Sequence, residues 1–279
     1  MAFQFLHRLA SRTGWSYLLC FILRSMGVSG SCRRTTLIAR GFGWSALIVV
    51  GAALTVVELA VAQDVLVVPF VMDSVVAIQS AAERIVSDYV AVITEVTGDP
   101  SYVPTIEIVN TPNLAYFNRR TGQIVLPHWA SMEGPSRDFF ASLSGTEAQA
   151  EELFTMLFNW FLVAHELTHW FQQEAGITLD RYSSEAMANH FAVAFHMRAA
   201  GGEERLLRLE ELLEGVLFRL VDPTPEGEDA AAFFNANYAA LARDPSCYGY
   251  YQFRFILDSI AHRDELDFEM LVSQYGGQS

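Results

Sequence analysis

The chain has 279 residues, which is enough for one or two domains with a buried core. Its 32 acidic residues outnumber its 18 basic residues, and every basic residue is an arginine, so the formal net charge is −14. An acidic surface of this kind repels phosphate groups, which argues against nucleic acid and anionic membrane surfaces as partners.

The first 62 residues have the features of an export signal. Trp44–Ala62 is almost entirely apolar and follows a cluster of arginines. Ala60, Val61 and Ala62 place small side chains at the two positions that a signal peptidase reads. We therefore predict that residues 1–62 form a signal or leader segment, cleaved before Gln63, and that residues 63–279 form the exported domain.

The apolar segment also permits a second interpretation. Residues 44–62 are nearly long enough to span a bilayer, so an uncleaved membrane anchor is the alternative. In either case the domain is expected outside the cytoplasm, in a periplasmic or extracellular location. Contact with a membrane would then occur only through this N-terminal segment.

Residues 63–279 contain 12 arginines and 31 acidic residues, so their formal charge is −19. Cys20 and Cys32 lie in the leader, which leaves Cys247 as the one cysteine of the domain. An intrachain disulfide and a cysteine-based zinc site are therefore excluded, and any metal must be held by histidine and carboxylate side chains.

The first part of the domain has strand and turn signals. The apolar run Asp64–Met72 predicts a buried strand, and Ser74 can cap a helix that runs to about Thr97. Alternation in Thr105–Asn110 predicts another strand. The runs LAYFN and QIVLP flank a turn that ends at Gly122, which predicts a hairpin.

The second part of the domain has helical periodicity. The polar, glycine-containing stretch Ser131–Gly145 predicts a loop, after which Thr146 can cap a helix that continues to Gly176. Four further helices are predicted at Ser183–Ala200, Glu203–Leu220, Asp229–Ala242 and Tyr248–His262. Strands followed by helices indicate an α+β domain with a mainly helical C-terminal half.

The sequence NWFLVAHELTHWFQQE places polar side chains in an apolar helix. His165 and His169 are four residues apart, so they lie on one helical face, and Glu166 lies beside them. This H-E-x-x-H spacing is typical of a zinc hydrolase, in which two histidines bind Zn²⁺ and the glutamate acts as general base. Burying these polar groups without a partner would be costly, which favours a bound metal.

A catalytic zinc needs a third protein ligand. The candidates after Gly176 are Asp180, Glu185, His190 and His196. Glu185 is preferred because the next helix can return antiparallel beneath the first. Asn189 follows four residues later on the same face and can orient a ligand histidine through its second ring nitrogen.

HELTH followed by EAMAN (Glu185–Asn189) resembles the gluzincin metallopeptidases, the thermolysin-like clan in which a glutamate on the following helix completes the zinc site. The predicted hairpin also resembles the zincin edge strand, along which an extended peptide lies. The resemblance covers about Ala115–His196. The chain departs from that clan in the fifteen residues between His169 and Glu185, a shorter connection, and in having asparagine at position 189 instead of aspartate.

The resemblance implies a zincin-like domain with a small mixed β-sheet, followed by a mainly helical C-terminal half. It implies hydrolysis of peptide or protein substrates by a zinc-activated water, with Glu166 as general base. It also implies a donor that stabilises the oxyanion, for which Tyr250 and Tyr251 are preferred over the neighbouring Tyr248. Arg254 and His128 are further candidates for that donor.

Two other functions remain open from the sequence. The domain could bind zinc without turnover and act through protein partners. Alternatively, HELTH could be coincidental in a membrane-tethered structural protein. Metal content separates the second possibility from the others, and cleavage of a peptide library separates an enzyme from a binding domain.

Overall fold

The structure is a computed structural model that describes residues 71–277. The predicted leader, residues 1–62, lies outside this range. The strand predicted for Asp64–Met72 also lies outside it, except for Val71 and Met72, which adopt no regular structure.

The first helix, α1, spans Val75–Thr97, as the sequence predicts. The Ser74 side chain accepts a hydrogen bond from the backbone N–H of Ala77, which satisfies a free donor at the helix start. Gly98 ends the helix with a φ of 91°, a conformation that favours glycine. Both predicted helix boundaries are confirmed.

A small mixed sheet follows, formed by β1 (Thr105–Ile108), β2 (Tyr116–Asn118) and β3 (Gln123–Leu126). The strand order is β1-β3-β2; β1 runs parallel to β3, and β2 runs antiparallel to it. The predicted hairpin is thus β2–β3, and Gly122 closes its turn with a φ of 72°. Since β2 pairs only with β3 in this sheet, it is an edge strand.

The stretch predicted as a loop, Ser131–Gly145, contains a helix, which corrects that prediction. Helix α2 spans Pro135–Leu143, with proline in its first turn, where no N–H is needed. Phe140 and Leu143 are one turn apart and both buried. Their burial stabilises a short helix within a polar sequence.

The long helix predicted from Thr146 to Gly176 is interrupted. It consists of α3 (Glu147–Met156), a π-helical turn (Leu157–Phe161) and α4 (Leu162–Glu174). In the π-turn the N–H of Leu162 bonds to the carbonyl of Leu157, five residues back. The predicted start and end are close to those observed, but the break was not predicted.

Five α-helices and a short 3-10 helix (Arg263–Glu265) complete the described chain. The α-helices are α5 (Arg181–Met197), α6 (Gly202–Leu217), α7 (Ala230–Leu241), α8 (Pro245–Ala261) and α9 (Phe268–Gly276). The first four correspond to predicted helices with shifted ends. Helix α9 was not predicted from the sequence.

Helix α4 lies at the centre of the core, between α1 and α5. Its Val163, Leu167 and Trp170 side chains have no exposed surface, because this helix is apolar nearly all round. The buried hydroxyl of Tyr89 on α1 lies 3.0 Å from the hydroxyl of Thr168 on α4. Because Thr168 donates to the carbonyl of Ala164, Tyr89 is the donor of this bond, which satisfies its buried hydroxyl. These contacts hold α4 in a fixed position.

The fold is α+β, with a three-stranded mixed sheet and a helical C-terminal half. A second, smaller hydrophobic cluster joins α7 to α8 through Phe234, Leu241, Tyr251 and Phe255. Between residues 71 and 277, no helix combines the length and apolarity that crossing a membrane requires.

Candidate metal centre

The two histidines of HELTH converge at one point, as their spacing predicts. His165 and His169 lie one turn apart on α4, and their Nε2 atoms are 3.2 Å apart. His165 is 3% exposed, and its neighbours on the helix belong to the core. The burial of the flanking apolar residues therefore turns these two rings toward each other and away from bulk solvent.

Glu185 reaches the same point from α5, which packs against α4. Its Oε2 lies 3.4 Å from Nε2 of His165, and its Oε1 lies 3.8 Å from Nε2 of His169. The candidate ligand atoms of all three side chains lie within 4.8 Å of one another. The structure thus brings together the three side chains predicted to bind metal.

Asn189 occupies the position predicted for it, beside His165. Its Oδ1 lies 3.3 Å from Nδ1 of His165, while its Nδ2 donates to the backbone carbonyl of Glu185 at 2.9 Å. Because Nδ2 is the donor, Oδ1 must accept from Nδ1–H of the histidine. In the neutral ring, Nε2 of His165 then carries a lone pair, which is directed at Glu185 and His169.

Gln172 orients His169 in the way that Asn189 orients His165. This role of Gln172 was not predicted. Its Oε1 lies 2.9 Å from Nδ1 of His169 and also accepts from the hydroxyl of Ser184, while its Nε2 donates to the carbonyl of Ser184. The amide orientation is again fixed by its donor end. Both histidines therefore carry a proton on Nδ1, and in the neutral form of each ring Nε2 is the acceptor.

Two imidazole lone pairs and a carboxylate repel one another unless a cation lies among them. Burial alone would lower the pKa of His169, but hydrogen bonding to Glu185 and its negative charge outweigh burial and raise this pKa to about 9. Burial would likewise raise the pKa of Glu185, yet the two histidines hold it well below its usual range. A proton can fill this role, and so can a divalent metal.

The donor set fits zinc. Two neutral imidazole nitrogens and one carboxylate oxygen form the three-ligand group of many catalytic zinc sites, in which a further position stays open for water. The second ring nitrogen of each histidine is hydrogen-bonded, as is usual for metal-bound histidine. His165, His169 and Glu185 would therefore hold the metal.

Glu166 lies beside this group and is 6% exposed. Its Oε2 accepts a hydrogen bond of 2.8 Å from the backbone N–H of Phe117, on edge strand β2. Glu166 is not one of the residues whose candidate ligand atoms lie within 4.8 Å of one another. Its role as a general base stays a prediction.

The three ligands and Glu166 line a cleft of about 470 Å³. Its lining includes edge strand β2 and the segment before it, residues of α4 and α5, and Tyr248, Gln252 and Ile256 of α8. Apolar side chains such as Phe139, Phe158 and Phe253 are also part of the lining, so the cleft combines polar and apolar surface.

The structure does not bring Tyr250 and Tyr251 to this cleft, and the preference for them is corrected. The hydroxyl of Tyr250 donates to Asp222 at 2.8 Å, and that of Tyr251 lies 2.6 Å from the hydroxyl of Thr224. Neither side chain is part of the cleft lining, and Tyr251 packs against Phe234 instead. The cleft lining likewise does not include Arg254 or His128.

Tyr248 is the tyrosine of α8 that faces the metal-binding side chains. Burial, followed by the charge of Glu185, raises the pKa of the Tyr248 hydroxyl well above its usual value. The hydroxyl therefore stays protonated and can donate a hydrogen bond, and it lies in hydrogen-bond contact with Tyr238, which lines the same cleft. One turn later, Gln252 donates from Nε2 to Oε2 of Glu185 at 2.9 Å.

The other ligand candidates have different roles. Asp180 caps α5 by accepting from the N–H of Ser183. His196 is buried in the core, with Nε2 at 3.4 Å from the carbonyl of Phe161 in the π-turn, and burial lowers its pKa to about 3. His190 is partly buried and lies outside the cleft. None of the three joins the metal-binding group.

Sequence reasoning missed Gln172 and Gln252 and ranked Tyr248 too low, although each has a positional signal. Gln172 follows His169 by three residues, which places it on the ligand side of α4. Tyr248 and Gln252 are four residues apart on α8, so a cleft that includes one includes the other. The sequence did not indicate which face of α8 turns toward Glu185.

Comparisons of this chain with protein-family models, curated proteins and solved structures find no match. The geometry of the cleft and the chemistry of its side chains are therefore the basis on which a function is proposed.

Proposed function

We propose that the protein is a zinc-dependent metallopeptidase with a zincin-like domain of the gluzincin type. The observation that carries the proposal is the convergence of two Nε2 atoms and a carboxylate within 4.8 Å, beside Glu166 and inside an open cleft. A zinc site that only stabilises structure is closed by four protein ligands, whereas this group has three. An open position in a substrate-sized cleft favours catalysis.

When bound, zinc supplies a Lewis acid that lowers the pKa of a bound water. Glu166 takes a proton from the attacking water and delivers it to the nitrogen of the leaving amine. Because Oε2 of Glu166 already accepts the N–H of Phe117, the proton is transferred through Oε1. The backbone of β2 thus fixes which carboxylate oxygen acts as base.

Tyr248 is the donor suited to the carbonyl oxygen of the scissile bond. Its hydroxyl stays protonated, for the reasons given above, and lies in the cleft with His165 and Glu185. A fixed donor in a partly desolvated site stabilises developing negative charge more strongly than water does. Tyr248 replaces the two neighbouring tyrosines in this proposed role.

The edge strand supports a peptide as substrate. β2 borders the cleft and pairs with another strand on one side only. The N–H of Phe117 is taken by Glu166, so an extended peptide would align with the other backbone groups of this edge. The apolar wall of the cleft can receive a hydrophobic side chain of that peptide. These features favour a peptidase over a zinc-binding domain without turnover, which is the alternative function.

A library of quenched fluorescent peptides tests the proposal. The purified full chain loaded with one equivalent of zinc should hydrolyse members of the library, and a strong chelator should abolish the activity. Restoring zinc should restore it. A chain that holds zinc but cleaves no peptide would support the non-catalytic alternative.

A further inference from the structure

Gln252 links the C-terminal helices to the metal-binding group. It lies on α8 and is half-buried, and its Nε2 donates to Oε2 of Glu185 on α5 at 2.9 Å. The two residues are 67 positions apart in the chain, so this contact exists only in the folded protein. It is a direct contact to the one anionic ligand of the group.

The contact makes the two oxygens of Glu185 unequal. Oε2 already accepts the hydrogen bond from Gln252, whereas Oε1 faces Nε2 of His169 at 3.8 Å, beyond normal hydrogen-bond length. A lone pair used for a hydrogen bond is less available to a metal. One of the two lone pairs of Oε2, which also lies 3.4 Å from Nε2 of His165, is used in this way, whereas both lone pairs of Oε1 are available.

Each of the three metal-binding side chains is held by a side-chain amide. Asn189 bonds to His165, Gln172 bonds to His169, and Gln252 bonds to Glu185. An amide fixes orientation without adding charge, so the full negative charge of Glu185 remains available to a cation. Of the three amides, only Gln252 bonds to the carboxylate side chain.

We propose that Gln252 is a positioning residue that limits Glu185 to binding the metal through one oxygen. This inference rests on the proposed function. A carboxylate that binds through both oxygens would occupy the position that a catalytic zinc keeps open for water. Gln252 keeps that position free by holding Oε2 in its hydrogen bond.

The test compares Gln252→Met with the wild type, using the purified full chain. Methionine has a similar length and no N–H donor. The cobalt(II)-substituted protein should show a weaker visible absorption in this variant, because a second carboxylate oxygen raises the coordination number. Zinc affinity, measured by competition with a chelator, should fall about 10–100-fold, as is typical when a residue that holds a ligand is lost.

A matched control comes from the ligand-bearing helix. Gln173 on α4 is exposed and donates one hydrogen bond to the hydroxyl of Tyr102 at 3.1 Å, outside the cleft. Gln173→Met removes the same type of bond and should leave the cobalt spectrum and zinc affinity unchanged. Gln252→Asn, which keeps an amide too short to reach Glu185, should reproduce the spectrum of Gln252→Met even if the methionine variant folds poorly.

If both Gln252 variants had the same cobalt spectrum as the wild type, the proposal would be overturned. Zinc affinity does not decide this point, because loosened packing alone weakens metal binding. Zinc binding without peptide hydrolysis by the wild type would overturn the proposed reaction and leave the role of Gln252 standing. A wild-type chain that binds no divalent metal would overturn both.

Discussion

At the scale of single residues, Glu166 differs from its neighbours in HELTH because its partner is the backbone. The N–H of Phe117 holds one of its oxygens at 2.8 Å, and the carboxylate lies beside the metal-binding group. The residue can therefore be changed without removing a ligand. This separation allows catalysis and metal binding to be tested independently.

Glu166→Gln should retain zinc and fold while losing most peptide hydrolysis. Glutamine keeps the length and can still accept the N–H of Phe117, but it cannot take a proton. We expect turnover to fall by about 10²–10⁴-fold, the usual effect of losing a general base. Turnover of a quenched peptide at matched zinc occupancy measures the effect, and equal rates in the two proteins would contradict the mechanism.

Glu185→Ala should lose most of its zinc, because only two imidazoles would remain as ligands. Metal analysis after dialysis measures this loss. Asp180→Ala is a suitable comparison, since Asp180 was a candidate ligand but caps α5 in the structure. If Asp180→Ala lost zinc while Glu185→Ala kept it, the ligand assignment would be wrong.

Tyr248→Phe should lower the turnover number by about 10²–10³-fold, with zinc content unchanged, because a single donor to the developing oxyanion is removed. Tyr250→Phe and Tyr251→Phe remove hydroxyls that bond to Asp222 and Thr224 outside the cleft. These two variants should keep near-normal turnover. A larger loss in either of them than in Tyr248→Phe would restore the original sequence-based preference.

At the scale of secondary-structure elements, the sequence predicted those elements whose signals are local. Ser74 and Gly98 fix the ends of α1, and Gly122 fixes the hairpin. Helix α2 was missed because its polar sequence becomes helical only through the burial of Phe140 and Leu143. The π-turn was missed because it depends on contacts distant in sequence.

One of those contacts is made by His196 to the carbonyl of Phe161. Burial lowers the pKa of His196 to about 3, from an ordinary value of 6.5. The unfolded chain therefore binds more protons than the folded chain below pH 6.5, and the free energy of unfolding falls as the pH falls. Only from about one to two pH units above 6.5 is the residue neutral in both states, where it contributes no pH dependence.

Between pH 6.5 and 4.5 this residue should lower the free energy of unfolding by roughly 2–3 kcal/mol. His196→Gln should remove that part of the acid sensitivity, although it also alters packing at all pH values. Denaturant unfolding in chelator measures the difference in slope against pH. His262→Gln is the comparison: a hydrogen bond to the carbonyl of Asp258 raises the pKa of His262, so this variant should lose stability relative to the wild type as the pH falls, the opposite sign to His196→Gln.

At the scale of the whole molecule, the sequence predicted the α+β fold class and the convergence of His165, His169 and Glu185, but not the full cleft. His165, Glu166 and His169 follow from spacing alone, and Glu185 follows from a returning helix. Tyr248 and Gln252 required knowledge of how α8 is rotated, which depends on the aromatic cluster shared with α7. Such long-range packing leaves little local signal in the chain.

Export is the prediction that concerns the entire chain. Protein secreted by a bacterial host should begin at Gln63, because Ala60 and Ala62 present small side chains to a signal peptidase. N-terminal sequencing of the secreted protein gives the answer. An intact N-terminus recovered with the membrane fraction would support the anchor alternative.

The π-turn between α3 and α4 sets the rotational phase of one helix relative to the other. Its hydrogen bond joins residues five apart instead of four apart, so the π-turn contains one residue more than a turn of α-helix. One residue corresponds to about 100° of rotation about the helix axis. Deleting one residue from Leu157–Phe161 would allow a continuous helix, but the aromatic face of α3 and the histidine face of α4 would fall out of phase. The shortened chain could keep the packing of Phe154 on Phe140 or the alignment of His165 with Glu185, but not both.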